Sequence, residues 1–300
     1  MKITVVTPSY NQGQFLEETI QSIWSQTGDF ELEHIIADGG STDNSIEIIK
    51  KYDKLYKSNS YPFKCKGVTF QWWSGKDRGQ VDALNKAFNQ STGDILGWLN
   101  SDDKYNDTNA LQQVVTSFST SKADIVVGNC KIIDERGEVL SEPPVLSNEM
   151  DNSKLQENLP LLLDVCFIPQ PATFFKKELF VKLGIANFHY GMDWDLWIRS
   201  YKAKKTFFKL EKPIACFRMQ KEGKTTKLSP RYFKETIEIL KKYNPQSKQI
   251  LINQILLAKQ NIISVPIVGN IVVLIFNTLL KFYLFIKRQV LKTNKPLFTK

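Results

Sequence analysis

Thiols and imidazoles are scarce in this chain. Its 300 residues hold four cysteines, Cys65, Cys130, Cys166 and Cys216, and two histidines, His34 and His189. Successive cysteines lie at least 36 positions apart, so no CxxC pair or zinc-type ligand spacing exists. They read as reduced thiols of a cytosolic protein. No Ser/His or Cys/His pairing stands out as a covalent nucleophile with its base. His34 falls in an apolar run and His189 in a loop, and both read as ordinary packing or surface residues. GxxxxGK[ST] and GxGxxG are absent, which removes the P-loop and dinucleotide-binding fingerprints. Also missing is the basic start, apolar core and small-residue cleavage site of a signal peptide, since Met1-Lys2 runs directly into ITVVTP. This part of the chain is therefore expected not to be exported.

Acidic residues stop at Glu238. Beyond it come ten positive charges, from Lys241 to Lys300, which outweigh the net charge of +9 and leave residues 1–238 close to neutral. These lysines and Arg288 are interleaved with Ile, Leu, Val and Phe, a pattern that argues against a nucleic-acid partner and for a membrane surface. VPIVGNIVVLIFNTLL lies in an uncharged run of 21 residues between Lys259 and Lys281, close to bilayer-spanning length. Pro266, Gly269, Asn270 and Asn277 interrupt it, and lysines flank both ends. The expectation is a basic, apolar, helical membrane-associating region over 226–300, lying in one leaflet at the cytoplasmic face rather than spanning, with a buried core helix as the alternative.

With 42% hydrophobic and 24% charged residues, the rest has the make-up of a large globular domain. ITVVTP (3–8), HIIADGG (34–40), VTFQWW (68–73), DILGWL (94–99) and DIVVG (124–128) read as strands. FLEETIQSIWSQ, NSIEIIKKYDKLY, QVDALNKAFNQ and NALQQVVTSF carry apolar residues at helical spacing. The alternation predicts an α/β fold, a mostly parallel mixed sheet flanked by helices and Rossmann-like in plan. CKIIDERGEVLS suggests a hairpin at Arg136-Gly137, and SEPPVLSNEMDNSK a loop. A more mixed α+β section follows, and PRYFKETIEILKKY and a stretch from Lys248 to Ile263 read as helices.

Aspartates recur where the strands end: Asp38 after HIIA, Asp77 after QWWSGK, Asp102 and Asp103 after GWLNS. One alone serves readily as a turn or cap. Four on one edge of a parallel sheet, without matching His or Cys, suggest a hard oxygen-ligated cation, Mg²⁺ or Mn²⁺, arriving with a phosphorylated substrate.

Five segments in order, TPSYNQGQFLEETIQSIWSQT, IIADGGSTDNS, WSGKDRGQVDALNKAF, GDILGWLNSDD and YGMDWDLWIR, resemble inverting glycosyltransferases of family 2 with the GT-A fold, over roughly residues 1–225. The resemblance implies a nucleotide-binding half at 1–128, an acceptor-binding half at 129–225 and a nucleotide-sugar donor, commonly UDP-linked. It places Thr7, Pro8 and Tyr10 in the loop that closes over the base. It puts Asp38 on the base, Asp77 on the nucleotide side and Asn100-Ser101-Asp102 at the family's DxD position with Asp102 on the metal. Asp103 falls to a supporting or acceptor-side role, Asp193 to the catalytic base, and Gln170 to the acceptor pocket.

An inverting displacement needs a carboxylate to accept the acceptor's proton and positive charge on the departing diphosphate, but no protein nucleophile. Asp193 and Asp195 are two apart and would point to different sides of a helix, so one of them is expected to be structural. Trp194 and Trp197 fit either a sugar-stacking face or the core.

Two positions depart from the family pattern. Asn100 brings no charge to the DxD position, and Gln220 stands where relatives often place a metal-ligating histidine, so Gln220 is not assigned to metal. Arg218 and Lys224 remain candidates for the diphosphate. The sequence thus implies sugar transfer to a lipid-linked or growing surface glycan. The alternative is a catalytically silent, sugar-nucleotide-binding subunit of a glycan-assembly complex.

Overall fold

The structure, a computed structural model, describes residues 1–142, 151–221, 223–224 and 229–263. Its first half alternates as expected: β1 (Lys2–Ser9), α1 (Gly13–Trp24), β2 (Thr27–Asp38), α2 (Ser45–Lys57), β3 (Lys64–Ser74), α3 (Gln80–Gln90), β4 (Ile95–Trp98), β5 (Lys104–Tyr105), α4 (Ala110–Ser121) and β6 (Ile125–Ile133). There follow β7 (Val139–Ser141), α5 (Asn152–Asn158), β8 (Thr173–Lys176), α6 (Lys177–Leu183), α7 (Met192–Lys202), β9 (Phe207–Arg218), α8 (Pro230–Tyr243) and α9 (Lys248–Ile263).

The strands form one mixed sheet in the order β3-β2-β1-β4-β8-β6-β9-β5, with β7 paired to β6. β1 to β4 are parallel to one another, and β6 is parallel to β9. β8 runs antiparallel between β4 and β6. Its close approach is permitted by Gly97, where an added Cβ would meet the Phe174 ring at 2.5 Å.

β1 reads as a continuous apolar run because both its faces are covered. Ile3 and Val5 pack with α1, α2 and α4 residues such as Leu16, Ile49 and Leu111. Val6 packs on the other face with Leu84 of α3, Trp197 of α7 and Leu240 of α8.

The hairpin forms where expected, with Gly137 at φ 88 and β6 paired to β7. KTFFKL and PIACFRM, which read as separate segments, are one strand, β9. α8 lies beyond residue 225, yet Ile239 and Leu240 are fully buried in the core. Most of the segment expected to associate with a membrane lies outside the described residues. Among those described, no helix is long and apolar enough to cross a bilayer.

Candidate active site

The parallel register of β1 to β4 delivers their carboxyl ends to one edge, where two joined hollows form a cleft. The larger, about 560 Å³, is lined by Pro8, Tyr10, Asp77, Ser101, Asp102 and Gln220 among others. The smaller, about 330 Å³, is lined by Cys166, Gln170, Tyr190 and Asp193 among others. Gln80, Asn100, His189, Phe217 and Lys224 border both.

Asp102 and Asp103 sit on the turn after β4. Asp103 is almost fully buried and accepts hydrogen bonds from the Arg218 backbone N–H at 2.9 Å and from Asn100 Nδ2 at 3.4 Å. Burial, then the neighbouring Asp102 charge, pushes its carboxyl well above the usual range. Burial also lifts Asp102, opposed by a hydrogen bond from Gln220 Nε2, which donates to Gln12 Oε1 as well. Gln220 thus offers Asp102 a donor, not a metal ligand.

One carboxylate stands where a hard divalent cation would need a ligand, Asp102 on the wall of the larger hollow. Among the described residues no group of three or more His, Cys, Asp or Glu could hold a metal. Asp102, a carboxylate on the wall of the larger hollow, would therefore need oxygen ligands from a diphosphate to complete a shell. That is how Mg²⁺ is commonly bound.

Asp193 lies in the first turn of α7, behind Gly191 as the N-cap residue. Burial raises its carboxyl to about 6. Among the described residues no side chain hydrogen-bonds to it. It is a carboxylate placed to exchange a proton near neutral pH.

Asp195 has a different fate. Its side chain is fully buried and accepts from Arg199 Nε at 2.5 Å, Tyr243 OH at 2.7 Å and Lys242 Nζ at 3.1 Å, tying α8 to α7. Trp194 is buried with Nε1 donating to the Leu162 carbonyl at 2.7 Å, and Trp197 is buried too, so neither offers a sugar-stacking face.

Thr7 and Asp38 lie outside both hollows, and Arg218, which borders the larger one, has its guanidinium engaged within the fold. Thr7 and Pro8 belong to β1 rather than to the loop after it, and Thr7 is buried with Oγ1 at 3.0 Å from His34 Nε2. Trp24 Nε1 donates to His34 Nδ1 at 3.0 Å, so Nε2 carries the hydrogen, and burial holds this imidazole neutral, down to about 3. Asp38 is buried and accepts from Gly40 N–H, Ser41 N–H, Ser41 Oγ and Ser74 Oγ, fixing the loop after β2. Arg218 is 3% exposed, and its guanidinium goes to Glu18 and to the carbonyls of Asp102, Asp134 and Glu135. Its charge is committed to joining β9, α1 and the β6–β7 hairpin.

Pro8, Tyr10, Asp77, Asn100, Ser101, Asp102, Arg218 and Lys224 do meet at the larger hollow, and Gln170 and Asp193 at the smaller. His189, which reads from sequence as an ordinary residue, borders both, as does Gln80, to which the sequence assigns no role, and Cys166, read only as a reduced thiol, lines the smaller. The only pointer to His189 is its place four residues ahead of Asp193 in HYGMD.

Residues 4–184 match the model of the family described as Glycosyl transferase family 2. An uncharacterized glycosyltransferase of Nostoc sp. is 31% identical over 204 residues, covering 66% of this chain and 56% of its own. The GalNAc(5)-diNAcBac-PP-undecaprenol beta-1,3-glucosyltransferase of Campylobacter jejuni is 25% identical over 226 residues, 75% of this chain and 67% of its own. The chain thus spans little more than half the length of the Nostoc relative. The mannosyltransferase PcManGT of Pyrobaculum calidifontis, solved with GDP-Man and Mn²⁺, superposes with a TM-score of 0.60 at 18% identity, over 94% of this chain and 80% of that one. That likeness shows the fold, an α/β GT-A-like mixed sheet flanked by helices. Matched over more than half its length, the chain belongs to glycosyltransferase family 2.

Proposed function

We propose that this protein transfers a sugar, with inversion, from a UDP-sugar to a hydroxyl of a lipid-linked or growing surface glycan. The observation that carries the reading is the two-part cleft. An acidic pair lies beside the larger hollow, and a carboxylate raised to about 6 lies beside the smaller.

The acceptor hydroxyl oxygen forms its bond to the anomeric carbon as the bond from that carbon to the diphosphate oxygen breaks. Asp193 takes the hydroxyl proton, and the nucleoside diphosphate leaves with the electron pair. Tyr10 and Asp77 border the nucleotide side, and Lys224 supplies a fixed positive charge near the diphosphate. Asp102 would hold Mg²⁺ or Mn²⁺, with Asp103 behind it. Bound there, the cation supplies Lewis-acid neutralisation of the leaving group.

Purified protein with UDP-sugars and Mn²⁺ is expected to show transfer or slow donor hydrolysis. Chelation, or Asp102→Ala, should lower turnover by about 10²-fold or more, with Mn²⁺ or Mg²⁺ restoring only the chelated wild type. Undiminished turnover after chelation would remove the cation from the scheme. Asn100 and the Gln220 amide on Asp102 favour the second reading, a silent sugar-nucleotide-binding subunit. Its signature is nucleotide binding by calorimetry with no turnover on any donor.

The basic, apolar segment from Lys241 onward supports attachment to an anionic membrane surface, where the named substrate of the Campylobacter relative, an undecaprenol-linked glycan, resides. Vesicles containing phosphatidylserine should sediment the full chain, and raising salt from about 0.1 to 1 M should weaken this. Equal binding to neutral vesicles at both salt levels would refute the electrostatic part.

A further inference from the structure

The partition between the two hollows is a chain of amides rather than charges. Lys224 Nζ donates to Gln80 Oε1 at 2.9 Å, and Gln80 Nε2 donates to Asn100 Oδ1 at 2.7 Å. Asn100 Nδ2 donates to Gln170 Oε1 at 3.2 Å, and Gln170 Nε2 donates to the Trp98 carbonyl at 2.6 Å. Four elements distant in sequence contribute: the segment after β9, the start of α3, the turn after β4 and the segment ahead of β8.

The direction of this chain is not arbitrary. An ammonium can only donate and a carbonyl can only accept. Lys224 at one end fixes which side of Gln80 presents oxygen, the Trp98 carbonyl at the other fixes which side of Gln170 presents nitrogen, and both requirements give Asn100 the same orientation. A carboxylate at position 80 or 100 accepts the incoming hydrogen bond and has no proton to pass on.

This accounts for an amide where the family resemblance leads one to expect aspartate. A carboxylate in place of the Asn100 amide would leave Gln170 Oε1 without its donor and lose the hydrogen bond to Asp103. It would also set a further negative charge beside a carboxyl that burial already destabilises as an anion.

We propose that Lys224, Gln80, Asn100 and Gln170 form a one-way amide relay that positions Gln170 in the smaller hollow according to what Lys224 holds in the larger one. The inference deepens the proposed function, on which its ligand rests. A nucleoside diphosphate in the larger hollow competes with Gln80 for the Lys224 ammonium, because charge-assisted bonds to phosphate are stronger than those to a neutral amide. Released from Lys224, Gln80 is free to turn, Asn100 loses its fixed acceptor role, and Gln170 is no longer held to the Trp98 carbonyl through an ordered chain. The donor side thereby informs the acceptor side without a moving domain. Gln80 and Asn100 act as positioning residues; neither need touch the reacting atoms.

Cys166 provides a native reporter. It is an exposed residue lining the smaller hollow with Gln170, its thiol facing the Ile168 carbonyl and pushed up by burial, which makes labelling slow and sensitive to its surroundings, whereas Cys130 and Cys216 are buried. Its N-ethylmaleimide labelling rate, read on its own peptide by mass spectrometry, would be measured in the full chain with and without saturating UDP and Mg²⁺. UDP is expected to change the wild-type rate by about threefold or more, the scale of one hydrogen bond made or lost. Gln80→Glu keeps an acceptor for Lys224 and breaks the chain beyond it. Asn100→Asp breaks it one link later. Both are expected to show the altered rate without ligand and no further response to UDP, added to each variant at a level that calorimetry shows to be saturating, while thermal unfolding shows them folded.

If UDP binds the wild type and leaves Cys166 unchanged, or if Gln80→Glu responds as the wild type does, the relay is overturned. A UDP response of equal size in both variants would mean direct shielding of the thiol and would overturn it as well. If UDP fails to bind but the ligand-free variants label at an altered rate, the positioning chain stands and the nucleotide reading falls.

Discussion

Asp193→Asn is expected to lower kcat by about 10²- to 10⁴-fold, the contribution of a positioned general base, with nucleotide binding by calorimetry unchanged. The asparagine keeps the shape of the side chain at the start of α7 and cannot take up the acceptor's proton. Retained turnover in this variant would remove Asp193 from the chemistry. The pH profile gives a second check on the wild type. A base must be ionised to act, so kcat/KM, which reports the free enzyme, should rise with pH through about 6 and level off above it.

The same residue has an opposite effect on stability. Its folded pKa lies above the ordinary carboxylate value, so the folded protein holds this proton more tightly than the unfolded chain does. The stability that the protonated group contributes is complete below the unfolded pKa and is lost as pH rises through about 6. Above that, the desolvated carboxylate costs about 1–3 kcal/mol. Asp193→Asn should therefore raise Tm at about pH 8 and change it little at about pH 4. Function at this position would then be held against stability, a common situation at active sites. An unchanged Tm at the higher pH would mean that solvent reaches the carboxylate.

Much of this arrangement is legible in the chain itself. The ends of β2 to β4 are marked by apolar runs stopping at or before Asp38, Asp77 and Asp102, and parallel pairing then puts all three on one edge. The start of α3 at Gln80 and of α8 at Pro230 coincide with local signals, Gly79 and a Ser-Pro step. Thr7 is readable too: the strand's period of two puts it on the face of Ile3 and Val5, inward. What escapes is what depends on the third dimension. β8 contributes four residues to the sheet, too few for a period to declare itself. Arg218 reads as a free cation until Glu18, 200 residues away, is beside it. His189, Lys224 and Gln80, from ahead of α7, after β9 and the start of α3, border the same two hollows, and no spacing in the sequence encodes that meeting.

Asp195 makes the complementary case, two residues from Asp193 and on the other side of the helix. Asp195→Ala is expected to destabilise the fold by about 3 kcal/mol, the lower end of the range for breaking a buried ion pair. The lower end applies because the groups left behind have alternatives. Lys242 has a half-exposed side chain that can turn to water, and Arg199 keeps the carbonyls of Leu183 at 2.5 Å and Gly184 at 3.0 Å. Tyr243 loses its acceptor, and α8 loses the polar clasp to α7, retaining the apolar contacts of Ile239 and Leu240. For a chain of this size the loss corresponds to a fall in Tm of roughly 5 °C. Turnover per folded molecule should survive at temperatures well below the new Tm, because the carboxylate of Asp193 keeps its place in the first turn of α7. Thermal unfolding and activity measured together separate the two aspartates: one variant folded and inactive, the other active and easily unfolded. An Asp195→Ala protein with unchanged Tm and lost activity would reverse their roles and place Asp195, rather than Asp193, at the reacting hydroxyl.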